Sequence, residues 1–172
     1  MIWRRLLRTL LHPTAALPLP APAEVAVADL AAKLDETARL RLGRSLLLRH
    51  VDSGSCNGCE LELIALSGLA YDLERLGLRF TTSPRHADVL MVTGPLTRNL
   101  HEALLATYNA TPNPKWVIAV GDCAVDGGVF RGSYAVLGGA GAALPVDLLI
   151  RGCPPTPAQV IAGLTALMAV QR

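Results

Sequence analysis

Charge is scarce in this sequence: 17% of its 172 residues are charged, whereas 51% are hydrophobic. Lys plus Arg number 16 and Asp plus Glu 14, leaving a net charge of +2. The basic surface by which a domain grips nucleic acid is therefore missing, which excludes nucleic acid as the main partner. A chain this apolar is also excluded from the disordered class. It fits a parallel α/β core, or a subunit that hides much of its surface in a complex. Long uninterrupted apolar runs are lacking too. Gly152 to Gln171 carries no charge, but Pro154, Pro155 and Pro157 break its first third. About 14 apolar residues remain, short of the roughly 20 that cross a bilayer, so the stretch predicts a docked amphipathic helix. No internal repeat is present. The length favours one domain with a short appendage, large enough to bury a core without staples.

Residues 1–44 read as that appendage, and residues 45–172 as the domain. The opening MIWRRLLRTLL holds Arg4, Arg5 and Arg8 and no acid. It predicts a basic amphipathic helix lying on an anionic membrane or a partner. A twin-arginine export signal and a solvated basic tail are the competing readings. Four prolines between Pro13 and Pro22 make an extended linker or arm. Asp29 to Arg44 then reads as a helix, with Asp29 as its cap and Asp35 four residues before Arg39.

From Ser45 onward strands and helices alternate. Strands are expected at Ser45–Val51, Leu78–Thr82, Ala87–Thr93, Lys115–Val120 and Val146–Ile150. Between them, leucines spaced three to four apart predict a helix over Cys59–Leu76, stopped by Gly77. A second helix is expected over Arg98–Asn109, capped by Thr97. The last begins with Thr156 as cap, Pro157 at the first position and Gln159 three after the cap. This alternation implies a mainly parallel sheet covered on both faces, an α/β three-layer sandwich of the flavodoxin-like kind. Trp116, within its strand, reads as core.

Cysteines are few, and their placement is the strongest signal. Cys56 and Cys59 follow the first strand as C-x2-C; Cys123 comes 63 intervening residues later, and Cys153 another 29. Each position lies just beyond the carboxyl end of a predicted strand, the rim where open α/β sheets bind ligands. Disulfides fit poorly, because nothing points to export and a domain of this size does not need them. A structural zinc site usually takes two close pairs on small knuckles. A redox dithiol would leave Cys123 and Cys153 unexplained. Unrelated buried cysteines are a fourth possibility, and a 4Fe–4S cluster on four thiolates a fifth. The surrounding SGSCNGCE, VGDCAVDGG and RGCPP favour the last. Their glycines let backbone N–H groups approach a bulky anionic cofactor, and two helices start near the rim.

Taken in order and at these spacings, SGSCNGCELE, SPRHADVLMVTGPLTRN, GDCAVDGGVF and IRGCPPTP resemble one family. It is the small, cluster-bearing subunit of membrane-bound NiFe hydrogenases of the formate hydrogenlyase type. That subunit is homologous to the 20 kDa subunit of NADH:quinone oxidoreductase, respiratory complex I. The resemblance covers roughly residues 45–167. Complex I carries two adjacent cysteines in the first motif; the separated Cys56 and Cys59 resemble the hydrogenase branch instead.

The resemblance implies that Cys56, Cys59, Cys123 and Cys153 ligate one 4Fe–4S cluster against a NiFe-type large subunit. Bond-making then takes place in that partner, and no residue of this chain is catalytic. A ferredoxin-like iron–sulfur subunit and integral membrane subunits complete the implied complex. Its implied location is peripheral, on the cytoplasmic face of the inner membrane. The alternatives are the 20 kDa subunit of a complex I-like quinone-reducing oxidoreductase, a relative whose large subunit has lost nickel, or a zinc-stabilised interaction module.

Three further residues are candidates for the cluster's surroundings. Glu62 matches a family glutamate near the cluster and reads as a proton-exchanging group or, more simply, as a carboxylate favouring the first helical turns. Glu60 carries a weaker form of the same argument. Arg85, in SPRHAD, reads as a loop residue that pairs with Asp88 or the large subunit. His50, His86 and His101 read as ordinary residues.

Overall fold

The computed structural model describes residues 45–170. The expected basic, proline-rich and helical segments of residues 1–44 lie outside them. Strand β1 spans Leu46–Asp52, helix α1 Gly58–Leu66, strand β2 Leu78–Phe80 and strand β3 Val89–Thr93. A short β4, Leu96–Thr97, precedes helix α2, His101–Ala110. Strand β5, Trp116–Val120, leads into a single-turn helix α3, Asp122–Asp126. Strands β6, Val136–Gly138, and β7, Leu148–Ile150, are followed by helix α4, Pro157–Val170.

Five strands form one parallel sheet in the order β2-β1-β3-β5-β7. Leaving aside the separate antiparallel pair β4–β6, this is the doubly wound flavodoxin order, with its reversal of direction between β1 and β3. Because side chains alternate across a strand, each central strand feeds two cores. Val89, Met91, Ile118 and Val120 pack with Leu63 and Leu66 of α1 and with Val160, Ile161 and Leu164 of α4. Leu90, Val92, Val117 and Ala119 pack on the other face with Leu104 of α2 and Ala124 of α3. Burial on both faces explains why these strands read as continuous apolar runs. Trp116 is only partly buried, at the edge of the first core.

The last helix begins as its sequence requires. Thr156 N–H donates to Gln159 Oε1 at 2.8 Å, and Gln159 N–H donates to Thr156 Oγ1 at 3.4 Å. The helix docks by burying Val160, Ile161, Leu164 and Leu167. No helix among the described residues is long and apolar enough to cross a membrane.

Two expectations need correction. The helix predicted over Cys59–Leu76 stops at Leu66. Ser67 and Gly68 are poor helix formers, and the chain turns there, so that Leu69 ends fully exposed while Leu73 reaches the core from a separate 3-10 turn. Thr97 caps nothing. It belongs to β4, and its hydroxyl donates to Ser53 O at 2.9 Å, so α2 starts only at His101.

Candidate metal centre

All five strands point the same way, so the loops after β1, β5 and β7 emerge at one edge. Cys56 and Cys59 lie on the first of these, Cys123 on the second and Cys153 on the third. Each is held by local geometry that its sequence dictates. Asp52 accepts N–H bonds from Gly54 and Ser55, at 2.8 and 2.6 Å, and turns the chain sharply after β1. Asn57 adopts a left-handed φ of 71° and starts α1, which places Cys59 in its first turn. Cys123 lies in the first turn of α3. Cys153 precedes the Pro154–Pro155–Thr156 entry into α4. The sequence foresaw helix starts after Gly58 and Pro155; the one at Asp122 went unseen because it is a single turn. Helix amino ends carry partial positive charge, which favours thiolates.

The loops approach one another closely. Gly121, at φ 89°, sits where an added Cβ would stand 2.5 Å from Cys59 Sγ. An added Cβ at Gly128, φ 50°, would stand 2.8 Å from Cys123 Sγ. Both positions need glycine for space as well as for backbone conformation. The Val129 backbone N–H bonds to the Cys123 sulfur. Cys123 is buried and Cys59 half-buried, whereas Cys56 and Cys153 are exposed. The exposed apolar side chains of Leu61 and Ile64 on α1, and of Val129 and Phe130 after α3, belong to the segments that carry the cysteines.

Cys59 feels the other three thiols. Burial, then the charges of Cys123, Cys56 and Cys153, push the Cys59 thiol up to about 11. Burial and Cys153 raise Cys123 as well, against the Val129 N–H that lowers it. A thiol held that high, as Cys59 is, stays protonated at neutral pH unless a cationic centre binds it. Among the described residues, no three His, Cys, Asp or Glu side chains are gathered as one metal ion would require. Four cysteines on glycine-lined loops supply the kind of donor set that a 4Fe–4S group takes.

The remaining candidates divide. Glu60 is half-buried in the first turn of α1 and stands 3.6 Å from His50 Nε2. His50 in turn shares a 2.8 Å hydrogen bond with Thr93 Oγ1. Burial holds the His50 imidazole below its ordinary value, against the opposing pull of Glu60 and Asp52. This link from β3 through β1 to α1 was invisible in the sequence, where His50 and Glu60 stand ten positions apart. Glu62 is half-buried, two residues further along α1. Arg85 is exposed on the Pro84–His86 turn. That turn enters β3 at its amino end, about 17 Å of strand away from the cysteine rim. A cavity of about 480 Å³ opens beside α1, with Asn57, Glu60 and Ile64 on its helix side and His50, Phe80 and Thr81 opposite.

Besides Asp122, an acid legible at this rim from the sequence, three charged residues that went unremarked there also stand at it. Asp122, Asp126, Arg131 and Arg151 form one ion-pair group around the Cys123 and Cys153 loops. The signal available was the acidic GDCAVD segment set beside isolated arginines in loops after two different strands.

The family model described as "NADH ubiquinone oxidoreductase, 20 Kd subunit" matches residues 56–167. The chain is 38% identical over 154 residues to formate hydrogenlyase subunit 7 of Escherichia coli strain K12, covering 90% of this chain and 59% of that protein. It thus spans less than two thirds of that relative's length. It is 46% identical over 123 residues to "Probable membrane-bound hydrogenase subunit mbhJ" of Pyrococcus furiosus, covering 72% of this chain and 74% of that one. Among solved structures, a chain of the membrane-bound sulfane sulfur reductase, an archaeal respiratory membrane complex, superposes with a TM-score of 0.66 at 34% identity. That match covers 80% of this chain and 74% of the other.

Proposed function

The chain belongs to the 20 kDa subunit family of NADH ubiquinone oxidoreductase, and we propose that within it this protein is the electron-transfer subunit of a membrane-bound NiFe hydrogenase of the formate hydrogenlyase type. Cys56, Cys59, Cys123 and Cys153 would hold one 4Fe–4S cluster beside the large-subunit active site. The observation that carries this reading is that the loops bearing the four cysteines emerge together at the carboxyl rim of β1, β5 and β7, with Gly121 of one loop set against Cys59 Sγ of another. The separated Cys56 and Cys59 support the hydrogenase branch over the quinone-reducing one.

When bound, such a cluster carries single electrons. The chain's own residues bind it, shape its surroundings and present it. Gly121 and Gly128 leave the room beside the sulfurs that a side chain would fill. The Val129 N–H stabilises charge on Cys123. Hydrogen bonds to sulfur and exclusion of water set the potential of such a centre. The exposed Cys56 and Cys153, with the apolar Leu61, Ile64, Val129 and Phe130, suit coverage by a large subunit. A ferredoxin-like subunit would exchange electrons with it, and integral membrane subunits would hold the assembly peripherally on the cytoplasmic face. Residues 45–172 form the cluster-binding domain and residues 1–44 its extension. Glu62 and Glu60 are the carboxylates on α1 available for proton exchange at the interface.

The test is iron, sulfide, zinc and nickel analysis of the anaerobically purified complex, with EPR of the reduced sample and assay of hydrogen evolution. Four irons and four sulfides assigned to this subunit, by loss of one EPR signal in Cys123→Ala, are expected together with nickel. Iron without nickel or hydrogen evolution would move the protein to the quinone-reducing or nickel-free relatives. Zinc in place of iron would sink the electron-transfer reading.

A further inference from the structure

The Cys123 and Cys153 loops are joined by more than the sheet. Asp122 N–H donates to Gly152 O at 2.9 Å, and Gly152 N–H donates back to Asp122 Oδ1 at 3.1 Å. Over this two-way clasp lies the Arg151 guanidinium. Its Nη1 stands 3.8 Å from Asp122 Oδ1 and 3.5 Å from Asp126 Oδ2. Asp126 is fixed in turn by Arg131, with Nη2 at 2.6 Å from its carboxylate and Nε donating to its carbonyl at 3.0 Å. Gly128 N–H completes the set with a 3.0 Å bond to Asp126 Oδ1.

Nothing in the fold requires this arrangement. The two loops are already tied through the β5–β7 ladder. Isolated surface pairs contribute little to stability, and both arginine side chains are 63% exposed. What distinguishes the group is its place. Asp122 is the chain neighbour of Cys123, and Arg151 lies two residues before Cys153. Two carboxylates beside thiols that must hold an anionic centre would oppose electron uptake. The arginines are set against those carboxylates.

We infer that Arg151 is a positioning residue for the cysteine rim: by spanning Asp122 and Asp126 it ties the Cys153 loop to the Cys123 helix and neutralises the carboxylate charge beside the bound cluster. This rests on the four-iron reading above. It adds that the charge balance of Asp122 and Arg151, not the shape of the loops alone, sets how tightly the centre is held and how readily it accepts an electron.

Two variants separate charge from structure. Arg151→Gln removes the positive charge. Asp122→Asn removes the negative charge but keeps an oxygen able to accept the Gly152 N–H. Both are made in the full chain within its complex, and midpoint potential is read by EPR-monitored redox titration. Iron loss to a chelator is followed in parallel. Arg151→Gln is expected to lower the midpoint potential and to speed iron loss by about tenfold, the scale seen for residues that orient metal ligands. Asp122→Asn is expected to raise the potential. Opposite shifts are the signature, since breaking one clasp from either side for purely structural reasons would move both the same way. Where Arg151→Gln does not accumulate, Arg151→Lys must leave the potential near that of the unaltered chain while Asp122→Asn raises it. Shifts of one sign, or none, overturn the inference and leave the cluster reading standing. An unaltered chain without stoichiometric iron and sulfide overturns both, and is recognised before any variant is made.

Discussion

Along β3 every residue from Val89 to Thr93 is buried, and along β5 every residue from Val117 to Val120. One or two residues further on, the chain changes character. Gly121 takes a φ of 89°, Asp122 and Asp126 face arginines, and Cys56 and Cys153 on the neighbouring loops are exposed. The sheet is held by groups that satisfy each other on both faces. The rim gathers groups that conflict: a Cys59 thiol whose pKa its neighbours raise, glycines in conformations other residues avoid, and apolar side chains left in water. Functional sites are where such local conflicts collect in a well-formed fold. The comparison says that the sheet specifies the fold and that the rim carries the marks of a site.

Mutations on each side sharpen it. Leu104 is fully buried in the second core. Leu104→Ala is expected to lower unfolding free energy by about 2–5 kcal/mol, read by chemical denaturation with circular dichroism. Iron bound per folded molecule should stay at the level of the unaltered chain. Reduced iron in the folded fraction would mean that core and rim are one cooperative unit, and the distinction drawn above would fail.

The converse change is Gly121→Ala. The methyl group would press on Cys59 Sγ from 2.5 Å, in a backbone region that is nearly glycine-only. Strain of this kind costs about 1–3 kcal/mol. Here the order of sensitivity should reverse, with iron retention falling severely while the metal-free chain loses only that modest stability. Full iron content in Gly121→Ala would show that the rim tolerates displacement of Cys59, and would weaken the case for closely fitted loops.

The same comparison explains what the sequence discloses and what it hides. Continuous apolar runs exposed the strands because both faces of β3 and β5 bury apolar groups. The positions of Cys56, Cys59, Cys123 and Cys153 followed once those strands were placed, since each cysteine lies three to seven residues beyond a strand end. The Thr156–Gln159 cap was legible because its bonds span three residues. The early stop of α1 was not. Leucines at Leu69 and Leu73 continued the helical period, and only the weakness of Ser67–Gly68 argued against it. Thr97 was lost to a hydroxyl bond with Ser53, 44 residues distant. The Asp122–Arg151 contact spans 29 positions and requires β5 and β7 to be neighbours, a pairing that composition cannot supply.

The smallest expected effect lies on the boundary between the two regions, at His50. Its ring bonds to Thr93 of the buried strand and faces Glu60 of the cysteine helix. Burial dominates and lowers its pKa from the ordinary 6.5. The folded chain therefore binds fewer protons at this site than the unfolded chain in the window just below that value. Stability contributed by a neutral His50 is complete above pH 6.5 and declines as pH falls through the window towards the folded pKa, because protons favour the unfolded form. His50→Gln, which keeps a hydrogen-bonding group without the titration, should flatten the fall in denaturation midpoint between pH 7 and pH 5. The same slope in both proteins would place the pH sensitivity elsewhere. A gain in stability of the unaltered chain over His50→Gln as pH falls, abolished by Glu60→Gln, would instead mean that the ion pair and not burial governs the ring. The seam between sheet and rim would then be electrostatic in origin.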